Sequence, residues 1–135
     1  MTVRKIADYA LRVLIAAVLL QTLWFKFRAA PESVMIFSAL HTEPWGRIAA
    51  GVTELIAAVL LVVPQTVVFG ALLTICSMLG AVLAHVFVIG ISVQNDGGLL
   101  FGLALLLLLA ALALLILRRT EFAERLQQIR STVLR

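Results

Sequence analysis

Residues 46–63, with the sequence GRIAAGVTELIAAVLLVV, decide the fold of this chain. The stretch is apolar and long enough to cross a bilayer as a helix, which takes about 20 residues. Glu54 stands in the middle of it, and a carboxylate at the centre of a bilayer costs roughly 2.5–3.5 kcal/mol. We therefore expect Glu54 to face protein or water and to have a partner, and the identity of that partner is the main clue to function.

The composition is that of an integral membrane protein. Of the 135 residues, 63% are hydrophobic and 13% are charged, and the mean hydropathy is +1.12. A soluble domain of this length cannot bury so much apolar surface. The net charge of +4 does not indicate a nucleic-acid partner, because most basic residues flank apolar segments. Cys76, the single cysteine, lies in an apolar segment and is expected to be a buried core residue.

Four apolar segments are visible, at about 7–27, 46–63, 66–91 and 97–117. Each approaches the length that spans a bilayer, and none shows the alternation of a membrane β-barrel strand. We therefore predict an all-α fold: a four-transmembrane-helix bundle in residues 1–117, followed by an amphipathic basic tail in 118–135. The first segment is interpreted as a helix rather than a signal peptide, because charged residues occupy the place of a cleavage site.

Basic residues indicate the orientation of these spans. Eight of them flank the start of the first segment or follow the fourth, whereas the opposite side has Lys26, Arg28 and Arg47. Loops rich in Lys and Arg stay in the cytoplasm. We therefore predict a multi-pass protein of the inner (plasma) membrane with both termini in the cytoplasm.

The connections between the segments carry further predictions. The short turn at 64–66 makes the second and third helices antiparallel neighbours. In the loop 29–45, Pro31 suits the first turn of a short helix, and Val34, Phe37 and Leu40 recur on one face, which predicts a helix at the outer surface. Asp96 is a candidate N-cap for the fourth helix.

The tail repeats apolar residues at helical spacing, at Phe122, Leu126, Ile129 and Val133. A basic amphipathic helix of this kind is expected to lie on the lipids of the anionic cytoplasmic leaflet, or else to bind a partner protein.

Polar residues converge in the outer half of the predicted bundle. Glu54 lies roughly 12 Å and His85 roughly 9 Å below the outer ends of neighbouring helices, and Lys26 and Gln21 approach from the first helix. This predicts an outward-facing pocket lined by Gln21, Lys26, Glu54 and His85. A secondary lining is expected from Trp24, Ser77 and Asn95. The alternative is that the charged groups only lock the helices together.

Weaker patterns leave alternatives open. Gly98 and Gly102 form a G-x-x-x-G step, which is either a homodimer seam or an intrachain contact. Asp8 and Arg12 are one turn apart and are expected to pair. The sequence has no metal-binding motif, and haem is disfavoured because His85 alone is a poor set of axial ligands.

Several stretches together resemble the DoxX family of small four-helix membrane proteins. They are LQTLWFKF (20–27), APESVMIF (30–37), EPWGRIAAGVTELIAAVLLVVP (43–64), FGALLTICSMLGAVLAH (69–85) and VQNDGGLLFGLAL (93–105). The family's recurrent lysine, glutamate and histidine match Lys26, Glu54 and His85. The tail beyond residue 117 is not part of the resemblance. The resemblance implies a four-helix fold and a link to quinone chemistry, since the family is named for a quinone-reducing subunit; distant relatives look like assembly factors.

Two functions from different classes follow. The first is a site for a quinone or a similar small lipophilic molecule in a subunit of a redox complex, with Lys26 or His85 donating to the ring carbonyls and Glu54 relaying protons. The sequence shows no redox centre, so electrons would come from a partner protein. The second is a non-catalytic membrane chaperone or accessory subunit whose polar cluster is structural. A small transporter is less favoured, because no broken-helix signal is present.

Overall fold

The computed structural model describes residues 2–135, and Met1, the first residue of the predicted domain 1–117, lies outside the described residues. In that range the chain is helical and contains no strand. Its six α-helices are α1 (Val3–Phe27), α2 (Pro31–Ala39), α3 (Trp45–Val62), α4 (Val67–Ala84), α5 (Leu99–Leu117) and α6 (Arg119–Val133). A 3₁₀ turn, Pro64–Thr66, precedes α4, and a π-helical turn, His85–Ile89, extends it.

Four helical stretches are long and apolar enough to cross a membrane: α1, α3, the stretch Pro64–Ile89 and α5. Their bounds match the four predicted segments to within a few residues, which is the usual uncertainty of helix ends. The chain thus has the architecture of a multi-pass membrane protein.

The four long helices form a closed ring in which α1 packs on α3, α3 on α4, α4 on α5 and α5 on α1. The predicted contact between the second and third spans is therefore confirmed. The two helices approach closely at Gly70, where an added Cβ would lie 2.9 Å from the backbone nitrogen of Leu61. Only glycine allows α3 and α4 to approach this closely, which is how small residues act in membrane helix packing.

The prediction that Cys76 is a buried core residue is wrong, because the side chain is exposed on α4. The buried face of this helix carries Ala71, Thr74 and Met78, at spacings of three and four residues. Cys76 lies two residues from Thr74 and from Met78, which places it on the opposite face. In a bilayer this face meets lipid.

A charged network closes the end of the bundle where α1 begins and α5 ends, called here the terminal end. The predicted pair of Asp8 and Arg12 is present at 3.7 Å. Arg118 adds two hydrogen bonds to the same carboxylate, at 2.6 and 2.9 Å. Arg12 also donates to the carbonyls of Leu61 and Val62 at the last turn of α3, both at 2.7 Å. The network therefore ties α1, α3 and the α5–α6 junction together.

Residues Arg119–Val133 of the tail form the helix α6. Arg125 anchors α6 by donating to the carbonyl of Gln65 at 3.0 Å and by placing its guanidinium 5.9 Å from the ring centre of Phe69. No residue of α6 is buried, and Ile129 and Val133 remain 50% and 77% exposed. Within the described residues, the apolar face of the tail is therefore uncovered beyond the partly buried Phe122.

Candidate functional site

A cavity of about 510 Å³ occupies the opposite end of the bundle, called here the α2 end, and it is partly open to the outside. Its volume lies within the range of about 300–1,000 Å³ typical of small-molecule sites. The four residues predicted as its main lining, Gln21, Lys26, Glu54 and His85, all border this cavity. Ser77, which was predicted as secondary lining, also borders it. The rest of the wall is mainly apolar.

Glu54 is 3% exposed and is held by α1. Its Oε2 accepts from Lys26 Nζ at 3.0 Å and lies 3.2 Å from the hydroxyl of Thr22, which also reaches the Leu19 carbonyl. Oε1 has no hydrogen-bond partner among residues 2–135. No buried side-chain nitrogen or oxygen in this part of the chain lacks a partner, so Oε1 must reach open space. Because Glu54 borders the cavity, we infer that Oε1 faces the cavity.

Lys26 stands one residue before the end of α1, with its side chain 17% exposed. An ammonium group has three N–H donors, and one of them serves Glu54. The backbone carbonyl of Lys26 accepts a hydrogen bond from Arg47, which is itself bound to Glu43 at 2.8 and 3.1 Å. Arg47 therefore positions the end of α1. This role was not predicted, although the spacing of four residues between Glu43 and Arg47 is visible in the sequence.

His85 is fixed from two sides. Its Nδ1 lies 2.8 Å from the carbonyl oxygen of Gly90, and the Gly90 N–H donates back to the His85 carbonyl at 2.8 Å. Gly90 has φ +93°, a backbone conformation that favours glycine. The ring of Phe101 meets the imidazole edge-on at a centroid distance of 5.7 Å. Nε2 has no partner in the described chain, and by the same reasoning as for Glu54 it faces the cavity.

Glu54 and His85 border the same cavity but do not bind each other. No hydrogen bond or ion pair joins them within residues 2–135, since Glu54 is bound to α1 and His85 to Gly90. The physical reason is the π-helical turn after Ala84, which brings the Gly90 carbonyl under the imidazole. Regular α-helical spacing gave no sign of this turn.

Two residues predicted as secondary lining do not border the cavity. Trp24 is 60% exposed, and its ring lies under the guanidinium of Arg28 at 5.1 Å. It stands about 200° around α1 from Thr22, which faces Glu54. Asn95 is exposed in the α4–α5 turn with φ +60°.

Asp96, the neighbour of Asn95, borders the cavity instead. Its carboxylate accepts from the backbone N–H groups of Leu100 at 3.1 Å, Val93 at 3.0 Å and Gly98 at 2.8 Å. These bonds, that from Leu100 foremost, hold the pKa of Asp96 below its usual value. The N-cap of α5 is Gly98, so the prediction of Asp96 as the N-cap is wrong by two residues. Asp96 nevertheless accepts a hydrogen bond from the N–H of Leu100 in the first turn of α5.

Two parts of the cavity wall were not predicted. α2 and the residue that follows it cover one side of the cavity, through Glu32, Ser33, Ile36, Phe37 and Leu40. The apolar residues of the loop 29–45 predicted a helix there. The contact of that helix with the cavity depends on the conformation of the whole loop, which the sequence pattern does not give. α5 supplies an apolar wall through Leu99, Leu100, Leu103, Ala104 and Leu107. The uniform Leu and Ala sequence of α5 carried no signal for the inward face.

A second cavity, of about 530 Å³, lies at the terminal end among Arg4, Lys5, Arg12 and Arg118. Its charges are largely used within the protein: Asp8 and Glu121 bind Arg118, and Arg4 donates to the Leu117 carbonyl. We regard this region as a structural network. In the described part of the chain, no cluster of three His, Cys, Asp or Glu side chains is placed to hold a metal ion.

No family model matches this chain, and no curated protein or solved structure is significantly similar to it. The resemblance to the DoxX family therefore depends on the quoted residues alone.

Proposed function

We propose that this chain binds a quinone or a similar small lipophilic molecule in the cavity at the α2 end, as a subunit of a redox complex. One observation carries the proposal. Three side chains that border one cavity with a mainly apolar wall, Lys26, Glu54 and His85, each keep hydrogen-bonding capacity that no described residue uses. A few converging polar groups in an apolar pocket are the general pattern of small-molecule sites.

The chemistry of the three groups suits an oxygen-bearing ring. Lys26 can donate to a ring oxygen, while its ion pair with Glu54 keeps the ammonium charge compensated. The apolar walls from α2 and α5 suit the ring and an attached chain. The sequence has no cofactor-binding motif, so the electrons are proposed to come from a partner protein.

Orientation and family complete the proposal. We place both termini in the cytoplasm by the distribution of Lys and Arg, which puts the cavity on the outer side of the inner membrane. α2 would then lie at the outer surface and α6 on the lipids of the cytoplasmic leaflet. The residues shared with the DoxX family, Lys26, Glu54 and His85, are the same ones that face the cavity.

Binding measurements on two glutamate variants test the proposal. Glu54→Gln should weaken the binding of a short-chain quinone or its hydroquinone to the purified protein at least tenfold. Glu121→Gln is the matched control, because it removes a carboxylate that pairs with Arg118 at the terminal end and does not border the cavity. Thermal stability is measured in parallel. Equal binding by wild type and Glu54→Gln, or a loss of stability without a loss of binding, would refute the site.

The second candidate is a membrane chaperone or accessory subunit. It is favoured by the uncovered apolar face of α6, where Leu126 and Ile129 are each 50% exposed, and by Gly102, which has nothing within 4 Å of an added Cβ. A homodimer through the Gly98/Gly102 face belongs to the same class of proposal. Replacing Leu126 and Ile129 by serine should release a protein partner while leaving ligand binding unchanged, if α6 is the docking surface.

A further inference from the structure

We infer that the cavity selects the reduced, hydroxyl-bearing form of its ligand, so that a quinol binds more tightly than the corresponding quinone. This inference rests on the proposed function and makes its ligand class narrower. It follows from which atoms of His85, Glu54 and Lys26 donate hydrogen bonds and which accept them.

The tautomer of His85 is fixed by its partner. A carbonyl oxygen can only accept, so the 2.8 Å contact with Gly90 requires that Nδ1 carries the hydrogen. In an uncharged imidazole the other nitrogen is then an acceptor. Nε2, which faces the cavity, therefore presents a lone pair to the ligand.

No ion pair joins His85 to any described residue, and the residue is 4% exposed. The cavity already contains the cation of Lys26. Of the carboxylates that border the cavity, Glu54 is paired with Lys26, Asp96 accepts three backbone N–H groups, and none, Glu32 included, is hydrogen-bonded to His85.

Of the charged and imidazole groups at the cavity, Nε2 of His85 and Oε1 of Glu54 accept, and Lys26 Nζ donates. Gln21 and Ser77 also border the cavity and can either donate or accept, so they do not discriminate between the two forms. A quinol hydroxyl can donate to an acceptor and still receive a hydrogen bond from Lys26. A quinone has only acceptor oxygens, so it can satisfy Lys26 but leaves the acceptors of His85 and Glu54 unpaired. An unmade hydrogen bond of this kind weakens binding roughly tenfold or more.

The test compares three ligands of one ring under anaerobic conditions: tetramethyl-para-benzoquinone, its hydroquinone, and the dimethyl ether of that hydroquinone. The ether keeps the shape but has no hydroxyl donor. The hydroquinone should bind the full-length purified protein roughly tenfold more tightly than either of the others. Equal or tighter binding of the quinone or the ether overturns the inference while leaving the proposed function intact. If none of the three binds, the proposed function fails and the inference fails with it.

A variant assigns the preference to His85. His85→Asn places an amide N–H close to the position of Nδ1, so it can keep the bond to the Gly90 carbonyl while removing the acceptor at Nε2. The preference for the hydroquinone should fall several-fold in this variant, with unchanged thermal stability as the check on folding. A full preference in His85→Asn would show that this histidine does not select the ligand.

Discussion

Replacing Lys26 by methionine should destabilise the folded protein more than replacing Glu54 by glutamine, although both changes remove the same ion pair. The difference comes from what each change leaves behind. Lys26→Met leaves a carboxylate whose side chain is 4% exposed, with only the Thr22 hydroxyl nearby. Glu54→Gln leaves an ammonium group with 17% side-chain exposure near the end of α1, from which a lysine can extend to the surface.

The expected sizes follow from these two environments. Removing one partner of a buried pair costs about 3–5 kcal/mol, and neutralising an ordinary carboxyl group at pH 7 instead costs roughly 4 kcal/mol. We therefore expect Lys26→Met to lower the free energy of unfolding by about 3 kcal/mol. Glu54→Gln should lower it by about 1 kcal/mol, because its amide oxygen can still accept from Thr22. The double variant should be more stable than Lys26→Met alone, since it contains no buried charge.

Equilibrium unfolding in mixed micelles measures all four proteins under one condition. The single and double variants form a cycle, whose coupling term reports the interaction of the two side chains. If Lys26→Met is tolerated better than Glu54→Gln, or if the double variant is the least stable of the four, then Glu54 is not the buried member of the pair and the reasoning is wrong.

Three further results are expected. Gly70→Ala should destabilise the protein by about 2 kcal/mol, because the new Cβ meets the α3 backbone. Gly102→Ala, which has open space in front of the new Cβ, should leave the stability of a monomer unchanged. Equal effects of the two substitutions in unfolding experiments would contradict the close contact of α3 and α4. Arg118→Gln should cost about 2 kcal/mol by loosening Asp8, and an unchanged midpoint would show that the terminal network contributes nothing. The lowered pKa of Asp96 stabilises the fold above the ordinary carboxyl range, and this stabilisation is lost as the pH falls below about 4. Asp96→Asn should therefore have a lower Tm at neutral pH and lose less on acidification, and parallel Tm curves would contradict that role.

The helices and their neighbours could be predicted because the bilayer imposes strong and simple constraints. Length and hydropathy gave the four spans, and the short turn at Pro64 gave the contact between α3 and α4. Depth along each helix was also sufficient to bring Lys26, Glu54 and His85 to one end of the bundle.

The detailed contacts of the site could not be predicted, because they depend on departures from regular geometry. The π-helical turn brings the imidazole of His85 to the Gly90 carbonyl, and the spacing of residues in the sequence does not reveal such a turn. Trp24 was expected to line the cavity, but its side chain lies on another face of α1. The side of the cavity that α2 covers depends on a loop conformation, and the inward face of α5 is hidden in a sequence where every face is apolar.

Native mass spectrometry of the chain released from membranes of the expressing cells tests the central claim most directly. Wild-type protein should retain a bound small lipophilic ring compound, of quinol mass under anaerobic conditions, and Glu54→Gln should lose it while Glu121→Gln keeps it. Identical spectra for the three proteins, with only phospholipid adducts, would contradict the claim that the cavity beside Glu54 is a ligand site.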